Sequence, residues 1–442
     1  MNKIIQKMPA TGKGEGRRLK PLTLLFGIVL INTLLFLFLL PKLGQHGFDW
    51  IVMENNSDFE SADYFLVMLF SLGKEKVYEF GVDACYSPLS YVFFYLISKA
   101  TAADQLLAGV DLFSLPYEEL IRMTPKLLSS PYHLLGFLMY TLGGIGLFLY
   151  AVSRLNLPKT RERLLCFTVL TSVPLLFGAV ERGNLTMYVA ALTLIAFLLK
   201  DAESKWAREA ALLLIAIAAG LKFYPAFMGL LYLREKRFKE AGRLIVYGIL
   251  AVFLPFAFCG GMEGLGTMLS NLSILAMGNA YVCRLQFLQG VLGTMGIYGG
   301  LNKLLNTCFI LVLLIFILIT GNTTRRMVFL AAALAMYPPN AYRYTLLFFL
   351  IPLFSWIREE AEVCSAMNFL KAVLYACIFS IPTIWGIATG FTLTFGYYTM
   401  TYVEFFIYLA AWCLLGVSVL EELSAVVTWV RTRRKGEMCS ED

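Results

Sequence analysis

Between Leu22 and Leu40 the chain runs for nineteen residues, LTLLFGIVLINTLLFLFLL, without a charge. As an α-helix that stretch is about 28 Å long, close to the ~30 Å hydrocarbon core of a bilayer. A full-length span followed by Pro41 and Lys42 does not read as a cleaved signal peptide, which has a shorter apolar region and then small residues. Further apolar runs sit near 131–152, 164–180, 185–199, 210–223, 226–233, 244–258, 304–320, 327–337, 345–357, 369–385 and 405–420, twelve with the first. Of the 442 residues 59% are apolar and 15% charged, more apolar surface than a soluble fold can cover. The sequence predicts an all-α polytopic integral membrane protein of about twelve transmembrane helices, forming one domain over residues 1–442.

Charge sets the expected orientation. Lys3, Lys7, Lys13, Arg17, Arg18 and Lys20 precede the first helix against one acid, Glu15, which predicts a cytoplasmic N-terminus over 1–21. Residues 41–130 then form a long extracytoplasmic first loop with interfacial or re-entrant helices, and 89–100 is short for a span. The stretch from Pro41 to Ser87 carries eight acids and three bases, in keeping with that side. Twelve crossings place the basic clusters at 154–163, 234–243, 325–326 and 431–435, with the tail 421–442, in the cytoplasm. The turn after Arg358 fits least well, because Glu359, Glu360 and Glu362 follow. The net charge of +7 comes from short segments flanking apolar runs and reports orientation in the cell membrane, not nucleic-acid binding. Nine scattered cysteines show no CxxC spacing, so neither a disulfide framework nor a metal site is read.

Charged groups at membrane depth are costly and so are functional candidates. Four places stand out: SDFESADYF with Asp58, Glu60 and Asp63; GAVERGNLTMY with Glu181, Arg182 and Asn184; AAGLKFYPAF with Lys222 beside the helix-breaking Pro225; and MYPPNAYRYTLLFF with Asn340, Tyr342, Arg343 and Tyr344 after two prolines. The predicted topology puts all four on one face, where they could line one cavity holding an acid and several cations. The plain alternatives are a solvated acidic loop, a local Glu181–Arg182 pair, a snorkelling Lys222 and an aromatic belt.

These motifs, in this order, resemble the polyprenyl-phosphate-dependent mannosyltransferases of glycosyltransferase family 87, of the GT-C fold class. The resemblance runs over roughly 58–352, through SDFESADYF, VYEFGVDACYSPLSYVFFYLI, RGNLTMY, GLKFYPAFMGLLYLREKRF and PPNAYRYTLLFFLIP. Ser87 stands where a second proline is common in the family, and 259–302 does not align. The resemblance implies transfer of a sugar, mannose being commonest, from a polyprenyl-phosphate donor to a hydroxyl of a glycolipid or glycan acceptor outside the cytoplasm, with membrane lipid as the surroundings and no cofactor or metal implied. It makes Asp58 the catalytic base, with Asp63 its rival. Such chemistry needs a carboxylate for the acceptor proton and cations for the departing phosphate. Lys222, Arg182 and Arg343 could supply the cations, and Asn184, Asn340, Tyr86, Tyr224 and Tyr342 could complete the substrate contacts. A secondary transporter or lipid-linked sugar flippase, or a polysaccharide polymerase or ligase, are the rival readings; the absence of an inverted repeat counts against a transporter.

Overall fold

The computed structural model describes residues 19–43, 62–107, 109–123, 127, 130–282, 285–338, 342–381, 392–395 and 398–438. The chain is helical almost throughout: α1 (Pro21–Leu43), α2 (Ala62–Ser71), α3 (Pro88–Ala100), α4 (Ala103–Leu106), α5 (Tyr117–Arg122), α6 (Pro131–Ser153), α7 (Lys159–Leu170), α8 (Thr186–Leu199), α9 (Lys205–Leu221), α10 (Gly229–Arg234), α11 (Phe238–Phe253), α12 (Gly261–Val282), α13 (Leu288–Thr294), α14 (Gly299–Ile319), α15 (Thr323–Met336), α16 (Leu350–Glu359), α17 (Ala366–Phe379) and α18 (Tyr402–Met438). One short hairpin is added to the expected all-α architecture without changing its class. Thr392–Phe395 and Tyr398–Thr401, rich in threonine and aromatic residues, pair as an antiparallel hairpin with Thr392 opposite Thr401.

Among the described residues six helical stretches are long and apolar enough to cross a membrane: Pro21–Leu39, Pro131–Ser153, Lys159–Val180, Phe238–Ala257, Gly299–Ile319 and Val403–Thr432. The helices in the other six apolar runs have 17 residues or fewer. The difference has a physical form. Long helices turn apolar faces outward, such as Ile245, Val246, Ile249, Leu250 and Phe253 on α11, a surface suited to lipid. Short ones lie inside: α15 is buried on all sides, from Thr324 through Met336 except Arg325, as expected of a helix with no polar face over most of its length. The chain is thus a membrane protein in which lipid-suited helices such as α11 surround wholly buried ones such as α15.

Two acids of the turn at 358–362 are paired where they stand. Glu362 pairs with Lys20 and Arg161, each at 2.6 Å, and Glu360 with Lys371 at 2.9 Å while accepting from Asn322 Nδ2 at 2.9 Å. Lys371 also meets Glu421 at 2.9 Å, and Arg325 meets Glu422 at 2.9 Å. These contacts gather the start of α1, the N-termini of α7, α15 and α17 and the polar part of α18 at one end of the bundle. A second network, Lys200 with Asp201 and Glu235 and Arg237 with Asp201, joins the C-terminus of α8 to the turn after α10.

Candidate functional site

The opposite ends of α8, α9 and α15 converge on a polar cluster. The approach to α8 is irregular: Leu175–Val180 is a π-helical segment with Phe177 off helical geometry, a feature frequent at functional sites. Gly178 lets the backbone of Tyr344 lie against this segment, since a Cβ there would come within 3.2 Å of the Tyr344 nitrogen. Gly183 has φ +61°, and a Cβ on it would sit 2.5 Å from the Tyr64 Cβ, so only glycine fits this left-handed turn without displacement. The turn aims Arg182 and Asn184 at the same target, and the Asn184 N–H bonds Ala179 O at 2.8 Å.

That target is Asp63, in the first turn of α2. Arg182 grips it with two parallel bonds, Nε to Oδ2 at 2.9 Å and Nη2 to Oδ1 at 3.0 Å, and Asn184 Nδ2 donates to Oδ2 at 2.7 Å. The Asn184 carbonyl oxygen accepts from the Thr186 N–H at 2.8 Å, at the start of α8, and from Lys222 Nζ at 3.2 Å. Burial pushes the Asp63 carboxyl up, but Arg182, Asn184 and Lys222 outweigh it and hold the group below the usual carboxylate range.

Lys222 follows the last turn of α9 in an extended conformation, before the short 3-10 turn that starts at Tyr224–Pro225. Its ammonium lies over two rings, Tyr86 at 5.0 Å and Tyr344 at 5.2 Å from the centroids. Arg182 lies over Tyr342 at 5.5 Å, and Asn184 Nδ2 reaches the Tyr86 hydroxyl at 3.4 Å.

Arg343 opens the 3-10 segment Arg343–Phe349 that leads into α16. It is fully buried, its nearest acid is Glu181 at 3.9 Å, and none of its guanidinium nitrogens has a hydrogen-bond partner among the described residues. A guanidinium carries five N–H donors, and leaving them idle away from water is costly. With Arg182 and Lys222 it makes three cations, against the carboxylates of Asp63 and Glu181 among the described residues, and its unpartnered donors suit an anion.

The four sequence motifs therefore meet: Asp63 from the first, Arg182 and Asn184 from the second, Lys222 from the third, Tyr342 to Tyr344 from the fourth. Arg182 pairs with Asp63, 119 positions away, where a Glu181 partner was the plain alternative. Tyr86 joins the cluster, whereas Tyr224 is half-buried and packs edge-on against Phe348 at 5.4 Å. Asp58 and Asn340 lie outside the described residues. Sequence reasoning did not select Tyr344 as a contact, although its alternation with Tyr342 was visible. It also missed Asn271 of α12, in a stretch where it found no motif, whose amide donates to Tyr78 O at 3.0 Å and Gly81 O at 2.9 Å and closes the loop leading to Tyr86. Among the described residues no group of three or more His, Cys, Asp or Glu is placed to hold a metal ion.

Of the comparisons with known proteins, one finds a match, and it begins after Asp58 and Asp63. No curated protein and no solved structure matches the chain. The family model of glycosyltransferase family 87 matches residues 86–380, two thirds of the sequence, and takes in Tyr86, Arg182, Asn184, Lys222 and Arg343. The chain belongs to glycosyltransferase family 87 and is a membrane glycosyltransferase.

Proposed function

We propose that the protein transfers a sugar, mannose by its resemblance, from a polyprenyl-phosphate donor to a hydroxyl of a glycolipid or glycan acceptor on the extracytoplasmic side of the cell membrane. The observation that carries this reading is Arg343, a buried guanidinium without a hydrogen-bond partner among the described residues, next in sequence to the Tyr344 ring that faces Lys222. In the proposed reaction the acceptor oxygen forms the bond to the anomeric carbon as its proton passes to a carboxylate. The bond from that carbon to the phosphate oxygen breaks, and polyprenyl phosphate leaves with the electron pair. Lys222 and Arg343 hold the charge that develops there. Arg182 and Asn184 reach the substrate from their anchorage on Asp63, and Tyr86, Tyr342, Tyr224 and Asn340 line the sugar or isoprenoid.

Asp58 is the proposed base. Asp63 suits that task poorly, because a carboxylate that already accepts three hydrogen bonds and is held below the usual range has little affinity for a proton. We propose twelve crossings with both termini cytoplasmic and 41–130 outside. The ion-paired ends described above, which carry much of the basic charge, lie at the other ends of α8 and α15 from the polar cluster, and the positive-inside rule then directs that cluster outward.

Asp58→Asn tests the role directly: turnover falls by roughly 10²-fold or more while donor binding persists. Near wild-type turnover in Asp58→Asn, with Asp63→Asn inactive but well folded, would assign the base to Asp63.

A further inference from the structure

Lys222 is held by a lysine-independent piece of architecture. The C-terminus of α9 leaves carbonyls without helical partners, and two buried serines at the N-terminus of α3 receive them. Ser90 Oγ donates to Leu221 O at 2.6 Å; Ser87 Oγ reaches Leu221 O at 2.7 Å and also contacts Gly220 O. Gly220 admits this approach, because a Cβ there would meet Leu89 at 2.7 Å and the Ala251 carbonyl at 2.8 Å. The residue before Ser87 is Tyr86, whose ring lies under the Lys222 ammonium. Tyr86 is itself fixed at both backbone groups: its N–H donates to the Tyr91 hydroxyl at 3.3 Å and its carbonyl accepts from the Tyr78 hydroxyl at 3.1 Å. One dipeptide thus holds Lys222 from two sides, the ring beneath its charge and the hydroxyl on the carbonyl immediately before it.

We infer that Ser87 is a positioning residue for the reaction: it sets the place of the Lys222 ammonium by tying the end of α9 to the tyrosine platform. The inference rests on the reading of Lys222 as a phosphate ligand for its functional meaning, but not for the geometry.

The test has two independent readouts on the full-length protein in lipid nanodiscs. In the first, a pulse of acetic anhydride followed by peptide mass spectrometry gives the acylation of Lys222 relative to the exposed Lys205 and Lys303. Ser87→Ala raises the Lys222 ratio about 3- to 10-fold, the equivalent of one lost hydrogen bond. Ser87→Thr restores the wild-type ratio, and Ser87→Cys serves as the near-isosteric replacement if Ser87→Ala does not fold. A Lys222 ratio unchanged in Ser87→Ala, or in Ser87→Cys where that variant stands in, overturns the inference. The second readout is binding of farnesyl phosphate. Ser87→Ala weakens it about 3- to 10-fold in the wild-type background and not at all in a Lys222→Ala background, because the effect travels through the ammonium. A loss that persists without Lys222 also overturns the inference. Increased acylation, with farnesyl phosphate binding indifferent to both Ser87→Ala and Lys222→Ala, keeps the positioning role and removes the phosphate reading.

Discussion

Replacing Asp63 by asparagine separates a structural acid from a chemical one. The Asp63 and Arg182 side chains are 16% and 10% exposed, so the pair is little screened by water. Removing one partner of a buried pair costs about 3–5 kcal/mol, because the other is left buried and uncompensated. Asparagine keeps the size of the group and part of its hydrogen bonding, so the expected loss is at the lower end, about 3 kcal/mol. Chemical unfolding in mixed micelles reads this loss. The double variant Asp63→Asn/Arg182→Gln should be less destabilised than the sum of the two single ones by about 1 kcal/mol or more. The pH dependence has a definite sign. The folded Asp63 carboxyl titrates below the usual range, so its contribution is complete at neutral pH and is lost only as pH falls through the depressed value. Wild type should therefore keep its margin over Asp63→Asn through mild acid and lose it in strong acid. An Asp63→Asn protein that unfolds like wild type but cannot turn over would refute the reasoning and make Asp63 the base.

Two further substitutions address the cations and the turn. Lys222→Ala and Arg343→Ala should each weaken farnesyl phosphate binding by about 1.5–3 kcal/mol in a protein that remains folded, and unchanged affinity in both would return them to structural anchors. Gly183→Ala should destabilise the protein and lower turnover together, because its φ of +61° and the 2.5 Å approach to Tyr64 force the turn to shift Arg182 and Asn184. A Gly183→Ala enzyme of wild-type stability and rate would show that the turn tolerates movement.

Helices were legible in the sequence because apolar runs report burial or lipid, and each of the twelve runs contains helix. Span number was less legible, since a buried inner helix such as α15 and a lipid-facing one such as α14 are both apolar, and only length and packing distinguish them. Lys222 could be read from its position next to Pro225, a local signal. The Arg182–Asp63 pair could not, because a cation next to Glu181 gives no local sign of a partner on another helix. The acids of the 358–362 turn misled for the same reason: Lys20, Arg161 and Lys371, which pair with two of them, arrive from three other segments. Ser87 and Ser90 look like ordinary residues at a helix start, and only the tertiary approach of α9 turns them toward Lys222.

The most direct measurement is transfer itself. The purified protein is incubated with a panel of polyprenyl-phosphate sugars and an extract of membrane glycolipids, and both the released polyprenyl phosphate and the sugar gained by the acceptor are followed. The account predicts that one donor, polyprenyl-phosphate mannose first among them, yields polyprenyl phosphate and glycosylated acceptor in equal amounts, and that Lys222→Ala and Arg343→Ala lose this activity. Passage of an intact lipid-linked sugar across the bilayer of reconstituted vesicles, with no release from any donor, would contradict it.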